Sequence, residues 1–203
     1  ERARKRLVKR AAPYASLSLA LDYPTAELDA ALAAADGSAL EPFLRFVRET
    51  PLAERQRRYV ETFDLDRRAT LHLTYYLLGD TRKRGLALLR LKRLYAAAGL
   101  PLDSDELPDY LPALLEFATL APDGYGATLL GEHRLALELL RLRLAELESP
   151  WACLLERLCA SLPRLLGPER DRLARLLAEG PPGEKVGLEP FAPPEVMPTG
   201  AHA

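Results

Sequence analysis

Leucine and other apolar residues return every three or four positions along most of this chain, the spacing that puts them on one face of an α-helix. Tyr14, Leu17 and Leu21 predict a first helix, opened by Pro13 and stopped at Asp22-Tyr23-Pro24. Thr25 is placed to cap a helix over 26–35, which ends at the turn Asp36-Gly37-Ser38. A short helix over 40–49 carries Phe43 and Val47 on one face. Thr50-Pro51 then combines a capping residue with a proline suited to a first helical turn. The helix it opens runs to about Asp64 with the stripe Leu52, Tyr59, Val60 and Phe63, leaving Arg55, Arg57 and Arg58 as a solvated face. The segment 70–78 is apolar almost all round, which predicts a central helix, and Gly79 ends it. Asp80 or Thr81 caps the next helix, which reaches Ala98 and buries Leu88, Leu91, Leu94, Tyr95 and Ala98. Lys83, Arg90 and Arg93 make a basic stripe on another of its faces.

The loop 100–108 is acidic, and Asp109 is placed to cap a helix over 110–120 with Pro112 in its first turn. Pro122-Asp123-Gly124 is a turn, and Gly131 divides a short helix from a longer one over 132–148. Ser149-Pro150 repeats the start signal for a helix to about Leu162, and a last helix covers 169–178. No stretch sustains the period-two alternation of a half-buried strand, and no internal repeat is visible. The pattern predicts an all-α, single-domain bundle of about eight to ten helices over 13–179. A basic tail at 1–12 precedes it, and a Pro/Gly-rich tail at 180–203, expected to be disordered, follows, with Phe191 and Met197 as candidate docking points.

Composition narrows the function classes. With 203 residues, 48% hydrophobic and 28% charged, the chain is globular, and a net charge of −1 argues against a general nucleic-acid binder. Ile and Asn are absent and Gln occurs once, which fits a GC-rich genome or a thermophilic source. Cys153 and Cys159 point in different directions on one helix, which predicts two small buried side chains and neither a disulfide nor a metal pair. No apolar run reaches the ~18–20 residues of a membrane span. The basic start does not continue as a secretory signal, because Pro13, Tyr14, Ser16 and Ser18 interrupt the apolar part.

Candidate chemistry is sparse. Gly124-Tyr125-Gly126 lacks the third glycine and the preceding strand of a dinucleotide site. His72, His133 and His202 form no metal-ligand spacing. The carboxylate pairs Asp64/Asp66 and Glu106/Asp109 suit helix N-termini, where they meet exposed N–H groups. No nucleophile–base–acid signature appears, so no catalytic, cofactor-binding or metal-binding residue is expected. What stands out is an aromatic concentration, Tyr59, Phe63, Tyr75, Tyr76, Tyr110 and Phe117, with acids beside it. Such a surface suits a groove that takes an amphipathic, basic target segment. A helical enzyme using Glu106 and Asp109 is the rival reading.

Three segments in this region resemble the NarJ-type nitrate reductase assembly chaperones, grouped with the TorD/DmsD redox-enzyme maturation proteins. They are Tyr59-Val60-x-x-Phe63-Asp64-Leu65; Leu71-x-Leu73 leading to Gly79-Asp80-Thr81-Arg82-x-Arg84-Gly85; and Glu106-Leu107-Pro108-Asp109-Tyr110-Leu111-Pro112-x-Leu114-Leu115-Glu116-Phe117. The early Leu17-Ser18-Leu19-x-Leu21-Asp22-Tyr23-Pro24 is also similar, and the likeness extends over about 14–165. Where many members carry a His ahead of the Gly-Asp element, this chain reads Tyr75-Tyr76-Leu77-Leu78, so no role of that His transfers. The resemblance implies a TorD-like, cytoplasmic, non-enzymatic chaperone, monomeric or weakly dimeric. By that resemblance it is expected to bind the N-terminal segment of the apo catalytic (alpha) subunit of nitrate reductase and to support molybdenum cofactor insertion before membrane docking. It implies no bound cofactor, no nucleic acid and no membrane insertion; a different molybdoenzyme is the alternative client. The expected client groove is lined by Tyr59, Phe63, Leu71, Tyr75, Tyr76, Leu111 and Leu115, with Asp64, Glu106, Asp109 and Glu116 supplying charge at its edge.

Overall fold

The computed structural model describes residues 14–34, 40–102, 106–122 and 124–182. The expected tail at 1–12, the expected tail at 180–203 apart from its first three residues, including Phe191 and Met197, the turn Asp36-Gly37-Ser38, and Asp123 lie outside them. Eleven α-helices follow one another, and no strand occurs among the described residues. Helix α1 spans 14–21; α2 is Ala26–Ala34, α3 Glu41–Glu49 and α4 Leu52–Tyr59, which widens into a π-turn at Val60–Asp64. A 3₁₀ turn at Arg67–Ala69 leads to the single-turn α5 (Tyr75–Leu78) and then α6 (Arg82–Ala97). The second half holds α7 (Leu111–Leu120), α8 (Tyr125–Glu132), α9 (Arg134–Glu146), α10 (Ala152–Ser161) and α11 (Gly167–Glu179).

The helices form where leucine periodicity predicts them, and the caps explain several boundaries. Thr25 Oγ1 accepts from Leu28 N at 3.2 Å, and Pro42 and Pro112 occupy first turns, where a missing N–H costs nothing. Helix α9 is apolar over most of its circumference because it is wrapped: α10, α8, α5, α11 and the 3₁₀ turn all pack on it. Trp151, 1% exposed, sits among Phe43, Phe46, Tyr59 and Phe63 with ring centroids 5.3–6.2 Å away. This aromatic cluster joins α3, α4 and the start of α10.

Gly126 marks the closest helix approach. A Cβ there would stand 2.4 Å from Ala118 Cα, so α7 and α8 touch backbone to backbone. Gly126→Ala is expected to lose about 2–3 kcal/mol by forcing these helices apart, measured as a lower urea midpoint with an unchanged m-value. Gly79 ends α5 at φ +58°, a conformation that favours glycine. The Pro182 carbonyl passes directly over it, leaving no room for a Cβ.

Three expectations change. Residues 71–73 are extended instead of helical: His72 bridges antiparallel to Tyr110, with Leu73 N to Asp109 O at 3.0 Å and Leu111 N to Leu71 O at 2.9 Å. Asp109 does not cap α7, whose N-cap is Tyr110 without a side-chain bond. Arg55 is not solvated but buried, clasping Asp29 with both guanidinium nitrogens at 2.5–2.6 Å and Thr50 O through Nε at 3.0 Å. The two cysteines are free thiols, and burial pushes that of Cys159 up to about 11.

Candidate functional site

The 71–73/109–111 bridge organises the region because it turns the Asp109 side chain inward. Its carboxylate is wholly buried. One oxygen accepts from Thr74 N at 3.2 Å and from the Thr74 hydroxyl; the other meets His72 Nδ1 at 3.3 Å. Arg84 reaches the same carboxylate at 3.6 Å, donates through Nε to Thr74 Oγ1 at 3.2 Å and pairs with Asp80 at 3.2 Å. Burial pushes the Asp109 carboxyl up; the His72 and Thr74 bonds and the charge of Arg84 outweigh that and hold it below the usual range. One buried carboxylate thus ties together the segments around 72–74, 80–84 and 109.

A second polar chain lies beside it. The Tyr59 and Tyr110 hydroxyls are 2.9 Å apart; Tyr59 donates to Leu21 O at 3.1 Å, and Tyr110 donates to Asp22 Oδ1 at 3.1 Å. Tyr23, 41% exposed, stands edge-on to Tyr59 with centroids 5.4 Å apart. Burial pushes the Tyr59 hydroxyl up, the neighbouring Tyr110 hydroxyl opposes this, and the charges of Asp22, Asp64 and Glu106 add to it. Asp22 is bonded to the pair through Tyr110, and the negative charges of Asp64 and Glu106 act on it from other parts of the chain. Asp64 and Glu106 are exposed, and Asp22, Tyr110 and Tyr23 complete an acidic, aromatic rim.

A cleft of about 300 Å³ opens elsewhere, between α5, α9 and the end of α11. Tyr75, Leu139, Leu142 and Leu176 supply its apolar surface, and Arg67 and Arg143 are on its wall. Arg143 is already engaged, with Asp66 at 2.6 Å and Glu146 at 2.7 Å.

The expected groove residues divide accordingly. Tyr59, Phe63, Leu71, Tyr76, Leu111 and Leu115 are no more than 5% exposed and belong to the core, and of these Tyr76 also borders the cleft beside Tyr75. Tyr76 donates to Thr70 O at 2.8 Å from within the core. Asp109 is a buried tie, not an edge charge. Asp64 and Glu106 are exposed, Tyr75 lines the separate cleft, and Glu116 is exposed on α7. Sequence reasoning missed Asp22 and Tyr23 as site residues, although the Leu-Asp-Tyr-Pro helix ending marked them. It also missed Thr74 and Arg84, whose partner lies far along the chain. No group of three or more His, Cys, Asp or Glu among the described residues could hold a metal ion.

Two polar ties, at Asp109 and at the Tyr59–Tyr110 pair, hold together an all-helical scaffold that exposes Tyr23, Asp64 and Glu106. The chain belongs to the nitrate reductase delta subunit family, whose profile matches residues 29–156. It is 36% identical over 149 residues to the nitrate reductase-like protein NarX of Mycobacterium tuberculosis, covering 70% of this chain and 23% of that protein. It is 35% identical over 148 residues to the probable nitrate reductase molybdenum cofactor assembly chaperone NarW of Escherichia coli, covering 70% and 64%. It is also 35% identical over 176 residues to the nitrate reductase molybdenum cofactor assembly chaperone NarJ of Escherichia coli, covering 80% and 74%. The chain thus spans about a quarter of the first of these relatives and about two thirds of the second.

Proposed function

We propose that this protein is a non-enzymatic maturation chaperone for a respiratory nitrate reductase. It acts in the cytoplasm, binds the N-terminal segment of the apo catalytic subunit, and keeps that subunit ready for molybdenum cofactor insertion before it docks at the membrane. Family membership and relatives with that printed role support the reading. The observation that supports the binding step is the Asp22–Tyr110–Tyr59 polar chain beside half-exposed Tyr23, with the exposed carboxylates of Asp64 and Glu106 adding negative charge that acts on Tyr59. Carboxylates around an aromatic ledge attract a basic segment and give its apolar side chains a surface to rest on. The core residues Tyr59, Phe63, Leu71, Leu111 and Leu115 hold that ledge from below.

Titrating a peptide of the client's N-terminus onto the full chain tests the site. Wild type is expected to bind at about micromolar Kd, or ~8 kcal/mol. Asp64→Asn/Glu106→Gln is expected to weaken binding roughly tenfold and flatten its salt dependence. Unchanged affinity in that variant, with a loss in Tyr75→Ala, would move the client to the Tyr75 cleft.

A further inference from the structure

Helix α6 carries a second surface. Six of its sixteen residues are cationic and none is acidic; Arg84 is committed to the Asp109 tie and the other five are exposed, in a chain whose net charge is −1. Its inner face is held by Leu91 and Tyr95, the latter stacked on Phe117 with centroids 4.6 Å apart and bonded to Pro108 O at 2.8 Å. Positions 82, 86, 89 and 93 follow one line along the opposite face. That line reads Arg82, Leu86, Leu89, Arg93; the two leucines are 70% and 44% exposed, and both arginines are exposed. Lys83 and Arg90 flank it on one side and Lys92 on the other, all exposed, with Arg90 pairing to Glu132 at 3.1 Å.

From this placement we infer that the outer face of α6 is a docking surface for an anionic phospholipid bilayer. The face is the convex side of a helix about 24 Å long, and the cleft opens elsewhere, among α5, α9 and α11. A flat, charged interface matches a convex row of cations better than an extended peptide, which needs a groove. Two leucines in the middle of the row enter the headgroup layer, while Lys and Arg stems on both sides lift their charges to the phosphates. Among the described residues no helix is long and apolar enough to cross a membrane, so the contact is peripheral.

The test is co-sedimentation of the full chain with phosphatidylcholine vesicles, with and without about 30% phosphatidylglycerol. Binding is expected only to the anionic vesicles and is expected to vanish near ~0.5 M salt, where charges are screened. Lys83→Glu/Arg93→Glu is expected to weaken it about thirtyfold. Leu86→Ser/Leu89→Ser is expected to weaken it severalfold while keeping its salt dependence. All four residues are exposed, so unchanged melting curves confirm that each variant folds. Equal binding to neutral vesicles, or anionic-vesicle binding that survives the charge reversal, overturns the inference. So does failure on vesicles combined with charge-dependent capture of poly-glutamate, which would assign the face to an acidic protein.

Discussion

Replacing Asp109 by leucine is expected to cost about 3–5 kcal/mol, the range for removing one member of a buried charge pair. The carboxylate is wholly buried, and three groups depend on it: His72, Thr74 and Arg84. Leucine leaves the Thr74 hydroxyl and one side of the Arg84 guanidinium facing apolar surface, so the loss exceeds that of one hydrogen bond. Thermal melts should fall by roughly 10 °C or more for a domain of this size. Asp109→Asn keeps the shape and two acceptor contacts but loses the charge, and is expected to cost less. The acid limb separates the two effects. The Asp109 carboxyl titrates below its ordinary value near 3.8 in the folded chain. Its stabilisation is therefore complete at neutral pH and is lost as pH falls below that value and through the folded-state one. Urea midpoints measured from pH 6 to pH 3 should drop more steeply for wild type than for Asp109→Asn.

Trp151→Ala is expected to have a similar cost, about 3–5 kcal/mol. The indole fills the space between Phe43, Phe46, Tyr59 and Phe63, and alanine leaves a cavity bounded by rings that α3, α4 and α10 hold in place. Trp151→Phe discriminates packing from polarity. The indole Nε1 is buried without a hydrogen-bond partner among the described residues, so phenylalanine removes an unsatisfied donor along with some volume. The donor's desolvation cost, about 1–3 kcal/mol, offsets much of the lost packing. Denaturant melts followed by far-UV circular dichroism should place the Phe variant within about 1–2 kcal/mol of wild type. A Phe variant as unstable as the Ala variant would show that the indole ring itself is irreplaceable there.

Periodicity made the helices legible. Leu91 and Tyr95 face inward on α6 as their spacing predicts, and Thr25 caps α2. The extended 71–73 segment was not legible, because three residues carry too little alternation to outvote the apolar run around them. Its bridge partner around Tyr110 lies beyond a helix and a loop, and local propensity does not see it. Asp109 shows the same limit: before a helix, a carboxylate reads as a cap, and only the bridge turns it toward Thr74. Arg55 looked solvated until Asp29 met it from another helix. The burial of most of the expected groove residues was hidden for a related reason. Spacing tells which face of a helix is apolar, not whether another helix covers it, and Leu111 and Leu115 are covered completely. The segments that carry the family resemblance meet at two buried polar ties, Asp109 with Thr74 and Tyr59 with Tyr110 and Asp22. Much of their pattern is therefore architecture that positions the rim.

In the proposed role, this protein makes a nitrate reductase catalytic subunit competent to receive its cofactor. The most direct measurement is the molybdenum content of that subunit, purified from a host that lacks its own delta-family protein, with and without this chain. A nearly empty subunit is expected without it, restored occupancy with it, and reduced occupancy with Asp64→Asn/Glu106→Gln. Equal occupancy with and without the chain would contradict that role.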